Sequence, residues 1–175
     1  LMRNSVSENI CEHSLEVAML AHGLGIIGRK RFGKDLSPER LAMLGMYHDC
    51  TEIITGDMPT PVKYANDELK EAYKAIEDSA AQRLLEMLPE DLRAEYESYF
   101  LPEQITPEEY RYVKAADKLS ALIKCIEEEK TGNQEFRSAK QATYESLQQM
   151  NMPEVTVFCE VFLPEYYKTL DELEH

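Results

Sequence analysis

Four side chains combine metal-binding chemistry with places on apolar helical stripes: His13, the adjacent pair His48-Asp49, and Asp117. A polar group turned toward an interior is costly without a partner, so each asks for an explanation. His13 shares a stripe with Val17, Leu20, Ala21 and Leu24, whereas His22 falls on the opposite side of the same helix. A lone inward His is most often a hydrogen-bonded core residue. His48-Asp49 offers an imidazole and a carboxylate that can reach one divalent ion, although the dipeptide equally describes a surface pair. Asp117 lies in the stripe Tyr110, Val113, Asp117, Ser120, far from either helix end, so its charge calls for a cation; the plain alternative is an ion pair to Lys or Arg. Together the two His and two Asp supply four N/O ligands from three helices. With no thiolate among them, the set suits a borderline or hard ion, Mn, Co, Fe or Zn, with positions open to water. Such an ion brings the pKa of a bound water toward neutrality and neutralises a phosphoryl oxygen, which is the chemistry of a hydrolase.

The elements that must carry these residues read as helices throughout, because few stretches alternate apolar and polar residues for more than four positions. A first helix starts at Asn9, with Glu12 closing a capping box, and runs to about Lys30 before Gly33. A second starts at Ser37 with Pro38 in its first turn, carries Leu41, Leu44 and His48 on one face, and stops near Thr55-Gly56. Two prolines make Gly56-Asp57-Met58-Pro59-Thr60-Pro61 a loop. The stripe Leu69, Tyr73, Ile76, Ala80, Leu84, Met87 predicts a helix from Asp67 to Leu88, ended by Pro89, and a shorter one covers Glu90 to Leu101. Thr106-Pro107-Glu108-Glu109 is a second capping box, with Ile105 placed to staple onto Tyr110, and its helix extends to Lys130 with Gly132 as the stop. Helices over Gln134 to Met150 and Pro153 to Leu173 follow, broken at Pro164, although Val155 to Phe162 is rich in β-branched and aromatic residues.

At 175 residues and 43% hydrophobic, the chain is of a size at which close to 70% of the unfolded surface can be buried, so one ordinary all-α domain is expected. The net charge of −14 disfavours a nucleic-acid polymer as partner. Cys11, Cys50, Cys125 and Cys159 form no CxxC pair and read as free thiols of a reducing cytoplasm. The apolar run from Val17 to Ile27, interrupted by His22, Gly23 and Gly25, is short for a bilayer span, so no membrane partner is expected. The first residue is Leu1 rather than Met, and a native beginning is expected to precede it.

The order His13, His48-Asp49, Asp117 resembles the H…HD…D signature of the HD-domain metal-dependent phosphohydrolases. Glu12-His13-Ser14-Leu15, Tyr47-His48-Asp49, Glu52, the run from Thr55-Gly56-Asp57-Met58-Pro59-Thr60-Pro61 to Val62-Lys63-Tyr64, and Lys114-Ala115-Ala116-Asp117 resemble the bacterial 5'-deoxynucleotidases of that superfamily over essentially the whole chain. The resemblance implies a single HD-domain helical bundle over residues 1–175. It also implies hydrolysis of deoxyribonucleoside 5'-monophosphates by a homodimer using one divalent ion, Co or Mn foremost, with Zn, Fe or Mg as others. The family's ligands carry over onto His13, His48, Asp49 and Asp117, of which His13 and Asp117 also meet the substrate. Glu52 matches its catalytic acid residue, and as i+4 from His48 and i+3 from Asp49 it falls on their side of a helix, where it could take or position a proton of the attacking water. Asp57, Met58, Pro59 and Thr60 match the nucleotide-binding segment. The family's Arg-Trp pair, whose Arg orients the substrate phosphate, falls just upstream of Leu1-Met2-Arg3-Asn4, and Arg3 or Lys63 is the charge left to assist. The other readings are an HD phosphohydrolase acting on a cyclic nucleotide or an alarmone, and an acidic helical scaffold without catalysis. Dimer contacts are expected around Phe158, Phe162, Tyr166 and Tyr167, or on the Asp67 to Leu88 helix.

Overall fold

The computed structural model describes residues 4, 5, 7–63 and 65–173, and every regular element among them is helical. Ten α-helices follow in order: α1 (Ile10–Phe32), α2 (Pro38–Tyr47), α3 (Glu52–Thr55), α4 (Thr60–Lys63), α5 (Asp67–Glu86), α6 (Glu90–Phe100), α7 (Pro107–Lys130), α8 (Arg137–Gln149), α9 (Pro153–Val161) and α10 (Leu170–Leu173). Short 3-10 turns cover Pro102–Gln104, Gln134–Phe136 and Leu163–Tyr167. The chain gathers into two compact units. One spans Tyr47–Pro107; the other holds the described residues up to Met46 and those from Glu108 onward.

The second unit carries the larger core. The Asn9 side chain accepts from the amides of Cys11 and Glu12, and Glu12 accepts in return from the Asn9 amide at 3.0 Å, so α1 begins where the capping box predicts. Its buried stripe, Val17, Leu20, Ala21 and Leu24, packs with Ala115, Ala116, Leu119 and Ile123 of α7 and with Val155 and Phe158 of α9. Each such fully buried large aliphatic contributes about 1.5–3 kcal/mol. Gly45 lets α2 approach α1, since a Cβ there would stand 3.0 Å from the Ala18 Cα. By length and composition α1 is also the one described helix that could cross a bilayer; it extends beyond the Val17–Ile27 run, and its stripe of Val17, Leu20, Ala21 and Leu24 lies in this core.

Four expectations are corrected, and the helix expected from Pro153 is present through Val161. The second helix stops at Tyr47 and resumes only as α3, for reasons that belong to the site below. Thr60 and Pro61 open α4 rather than continuing the loop, which proline tolerates because a first-turn residue has no intrahelical amide bond to lose. On α5 the buried face is Tyr73, Ala80, Ala81 and Leu85, so Ile76 and Met87 are 53% and 69% exposed. The β-rich stretch Val155 to Phe162 is helical up to Val161, because Val155 and Phe158 share the inward face. Tyr110 is exposed, with the Lys114 ammonium 5.9 Å from its ring centre.

The C-terminal end of α1 is tied to α9 through charge. Lys34 Nζ lies 2.8 Å from Oε1 of Glu154, a residue with no exposed surface, and donates to the Tyr112 hydroxyl at 3.2 Å. Burial alone would raise the Glu154 carboxyl, but hydrogen bonds from Lys34, the backbone and Tyr112 hold it below the usual carboxylate range. The partners are unequal: Lys34 keeps a third of its side chain in solvent and Glu154 none. Lys34→Met therefore strands a buried anion and should cost about 3 kcal/mol or more, whereas Glu154→Gln leaves a neutral acceptor and should cost about 1 kcal/mol. Urea unfolding of both variants checks the asymmetry, and equal losses would contradict it.

Candidate active site

In the Tyr47–Pro107 unit, the last residue of α2 is clamped by aromatic rings of α6. Tyr47 has its ring centre 5.3 Å from Phe100, 5.9 Å from Tyr99 and 6.1 Å from Tyr96. Beyond it the backbone tightens. The Cys50 amide donates to the Tyr47 carbonyl, Glu52 to Asp49 and Ile53 to Cys50, three-residue bonds that turn the chain instead of extending a helix. His48 and Asp49 consequently lie in a turn, with His48 Nε2 3.0 Å from Asp49 Oδ2 and the imidazole 7% exposed. The helical i+4 relation between His48 and Glu52 is lost, yet Glu52, at the start of α3, still feels both residues.

Burial pushes the Glu52 carboxyl up to about 7, Asp49 and Asp57 push in the same direction, and His48 and Lys63 oppose them. The same surroundings silence Cys50, whose thiol is driven to about 12 by burial and by Asp49. A thiolate ligand is thus disfavoured here.

The loop after α3 is held from beneath. Gly56 has φ +70° and ψ 163°, a conformation that side chains resist, and its carbonyl accepts from the Tyr73 hydroxyl at 3.1 Å and from Thr55 Oγ1 at 3.0 Å. Asp57 and Pro59 are exposed on this loop and Met58 is half-buried, while the Pro59 carbonyl accepts from the amides of Val62 and Lys63 at the entry to α4. Lys63 is engaged by α5: its ammonium lies 2.7 Å from Glu77 Oε1 and 4.6 Å from the centre of the Tyr73 ring. Arg3 and Tyr64 of the sequence motifs lie outside the described residues.

In the other unit, α1 and α7 bring His13 and Asp117 together, with Nε2 3.5 Å from Oδ1. Lys114, one turn earlier on α7, reaches Asp117 Oδ2 at 3.6 Å, so the ion-pair alternative is realised as well. Both members of that pair are about a third exposed, and such a contact is worth little. Two residues that sequence reasoning did not assign complete the group. Ser120 Oγ lies 3.3 Å from His13 Nδ1 and donates to Glu16 Oε2 at 2.5 Å. The available signal was spacing: Glu16 is i+3 from His13, and Ser120 is i+3 from Asp117.

Each unit thus pairs one imidazole with one carboxylate, His48 with Asp49 and His13 with Asp117. This donor set, oxygen and nitrogen without sulfur, fits a borderline or hard divalent cation.

Comparison with known proteins gives a consistent result. Residues 1–166 match a family model described as 5'-deoxynucleotidase YfbR-like. A 5'-deoxynucleotidase of Vibrio cholerae is 46% identical over 173 residues, 99% of this chain and 89% of that protein. The 5'-deoxynucleotidase YfbR of Shigella boydii is also 46% identical, over 99% of this chain and 87% of its own length. The crystal structure of an HD-domain phosphohydrolase from Listeria innocua superposes with a TM-score of 0.80 at 22% identity, over 99% of this chain and 83% of that one, and shows the same fold.

The raised Glu52 carboxyl carries a stability signature. Folded Glu52 holds its proton more tightly than the unfolded chain, so stability falls as pH rises from about 4.5 to about 7. With chelator present, Glu52→Gln removes that loss. Its melting temperature relative to the parent should rise between pH 5 and pH 8, and a pH-independent difference would contradict the assignment.

Proposed function

The chain belongs to the YfbR-like 5'-deoxynucleotidase family, and we infer that it hydrolyses deoxyribonucleoside 5'-monophosphates to deoxynucleoside and phosphate. The observation that carries the chemistry is Glu52: a carboxyl held near 7 by burial and by Asp49 and Asp57, beside the His48-Asp49 pair. A carboxylate of ordinary acidity is a weak base at neutral pH; one tuned to about 7 can accept a proton there and release it within the same cycle.

His13, His48, Asp49 and Asp117 are the proposed ligands of one divalent ion, supported by their donor chemistry and by the family signature. When bound, the ion supplies Lewis acidity toward the phosphoryl group and activates water. Glu52 orients the attacking water and takes its proton as the new P–O bond forms; the bond to the 5' oxygen breaks, and a proton reaches that oxygen as the deoxynucleoside leaves. His13 and Asp117 also face the substrate in this reading, while Asp57, Met58, Pro59 and Thr60 hold the nucleoside. The anchoring of Gly56 by Tyr73 supports a pre-formed loop, which limits the ordering cost of binding. Co or Mn is the proposed ion, a homodimer the proposed assembly, the cytoplasm the proposed location, and one HD domain the proposed functional unit. The net charge of −14 repels an anionic substrate at long range, whereas a bound dication outweighs it at the site.

Phosphate release from dAMP, AMP, cyclic AMP and a generic phosphate ester, with Co, Mn, Mg, Zn or chelator, tests this directly. Metal-dependent release from dAMP with little from AMP is expected. Glu52→Ala should lower turnover by about 10²–10⁴-fold while still binding metal. Full activity of that variant would remove Glu52 from the reaction, and turnover of cyclic AMP in place of dAMP would reassign the substrate.

A further inference from the structure

We propose that Ser120 and Glu16 are positioning residues that hold His13 as its Nδ1–H tautomer and direct the Nε2 lone pair toward the side of the ring where Asp117 stands. The inference rests on the reading of His13 as a metal ligand, and it follows from proton counting. A serine hydroxyl has one proton, and that of Ser120 is committed to Glu16 Oε2 at 2.5 Å. What Ser120 presents to His13 Nδ1, at 3.3 Å, is therefore an oxygen lone pair, and a nitrogen facing an acceptor must carry the hydrogen. In the neutral ring Nε2 is then the acceptor nitrogen, and it lies 3.5 Å from Asp117 Oδ1. Two acceptors facing one another are mutually unfavourable in the absence of a cation and well placed to share one.

The support is built into two helices. Glu16 sits one turn beyond His13 on α1, and Ser120 one turn beyond Asp117 on α7. Ser120 is 2% exposed, so water competes poorly for its hydroxyl. Glu16 is half-buried and can accept while keeping contact with solvent. A ligating imidazole whose other nitrogen donates to a fixed acceptor is both locked in orientation and made more basic, and losing such a partner weakens metal affinity by about 10–100-fold. In free imidazole side chains the Nε2–H form prevails, so the opposite tautomer here requires a cause such as Ser120.

Two measurements decide the matter. Long-range 1H–15N correlation spectra of the metal-free chain at pH 8.5 should show His13 as Nδ1–H, and Ser120→Ala should shift it toward Nε2–H. Zinc titration should then give about 10–100-fold weaker binding for Ser120→Ala and for Glu16→Ala, with Glu16→Gln, which retains an oxygen acceptor, close to the parent. Unchanged metal-free melting temperatures would show that the variants fold. An Nε2–H tautomer in the parent chain overturns the inference, as does undiminished zinc affinity in a folded Ser120→Ala protein. A parent chain that is Nδ1–H yet binds no zinc would instead overturn the metal reading of His13, leaving the Ser120 hydrogen bond established.

Discussion

A carboxylate in the middle of a long helix has no helix end to answer its charge, and much of this protein's organisation follows from Asp117 having that position. Its helix cannot rotate to present the group elsewhere, because Ala115, Ala116 and Leu119 on either side are fully buried. Packing thus fixes the direction in which the charge points, and the neighbours must supply its partners. Lys114 does so weakly, from a solvated position, and the His13 ring from α1 stands on the other side, 3.5 Å away. The core that fixes Asp117 also fixes His13, since Val17, Leu20 and Ala21 continue the same stripe. Hydrophobic burial here sets the coordinates of polar chemistry.

In the Tyr47–Pro107 unit the device is different. α2 ends at Tyr47, whose ring packs against α6, and the turn that follows places Asp49, Glu52 and Asp57 near one imidazole and one engaged lysine. Burial first, and then the like charges of Asp49 and Asp57, make Glu52 keep its proton to higher pH. Stability is spent there to obtain a group that exchanges protons near neutrality. The Lys34–Glu154 contact shows the contrary arrangement, in which a buried anion has a close cation and its carboxyl is driven below the usual range.

The long elements were legible because their ends carry local chemistry: Asn9 with Glu12 and Gly33 at α1, and Thr106-Pro107 and Gly132 at α7. The helical placement of His13 on α1 and Asp117 on α7 was legible for the same reason. The end of α2 was not, since neither Gly nor Pro occurs between Tyr47 and Thr55, and the backbone there tightens into three-residue bonds that no local residue type announces. The α5 stripe was misassigned because large apolar residues dominate a periodicity reading, whereas the face that packs uses the small Ala80 and Ala81. Glu16 was invisible for a simpler reason. It is one of 33 acidic residues, and its i+3 spacing from His13 gains meaning only through its contact with Ser120.

The order of the two units along the chain bears on how the protein is made. Tyr47–Pro107 is an insertion, and the larger unit is completed only by residues from Glu108 onward. During synthesis α1 and α2 emerge with their apolar stripes uncovered and must wait for α7 and α9, while the inserted segment has all of its own partners as soon as Pro107 has been added. Closing the intervening loop costs entropy that grows only as the logarithm of its length, so the delay is one of sequence and exposure more than of free energy. A nascent chain of this topology therefore carries α1, its one described helix long and apolar enough to cross a bilayer, uncovered until α7 and α9 have been made, which makes α1 the segment most dependent on being shielded in the interval.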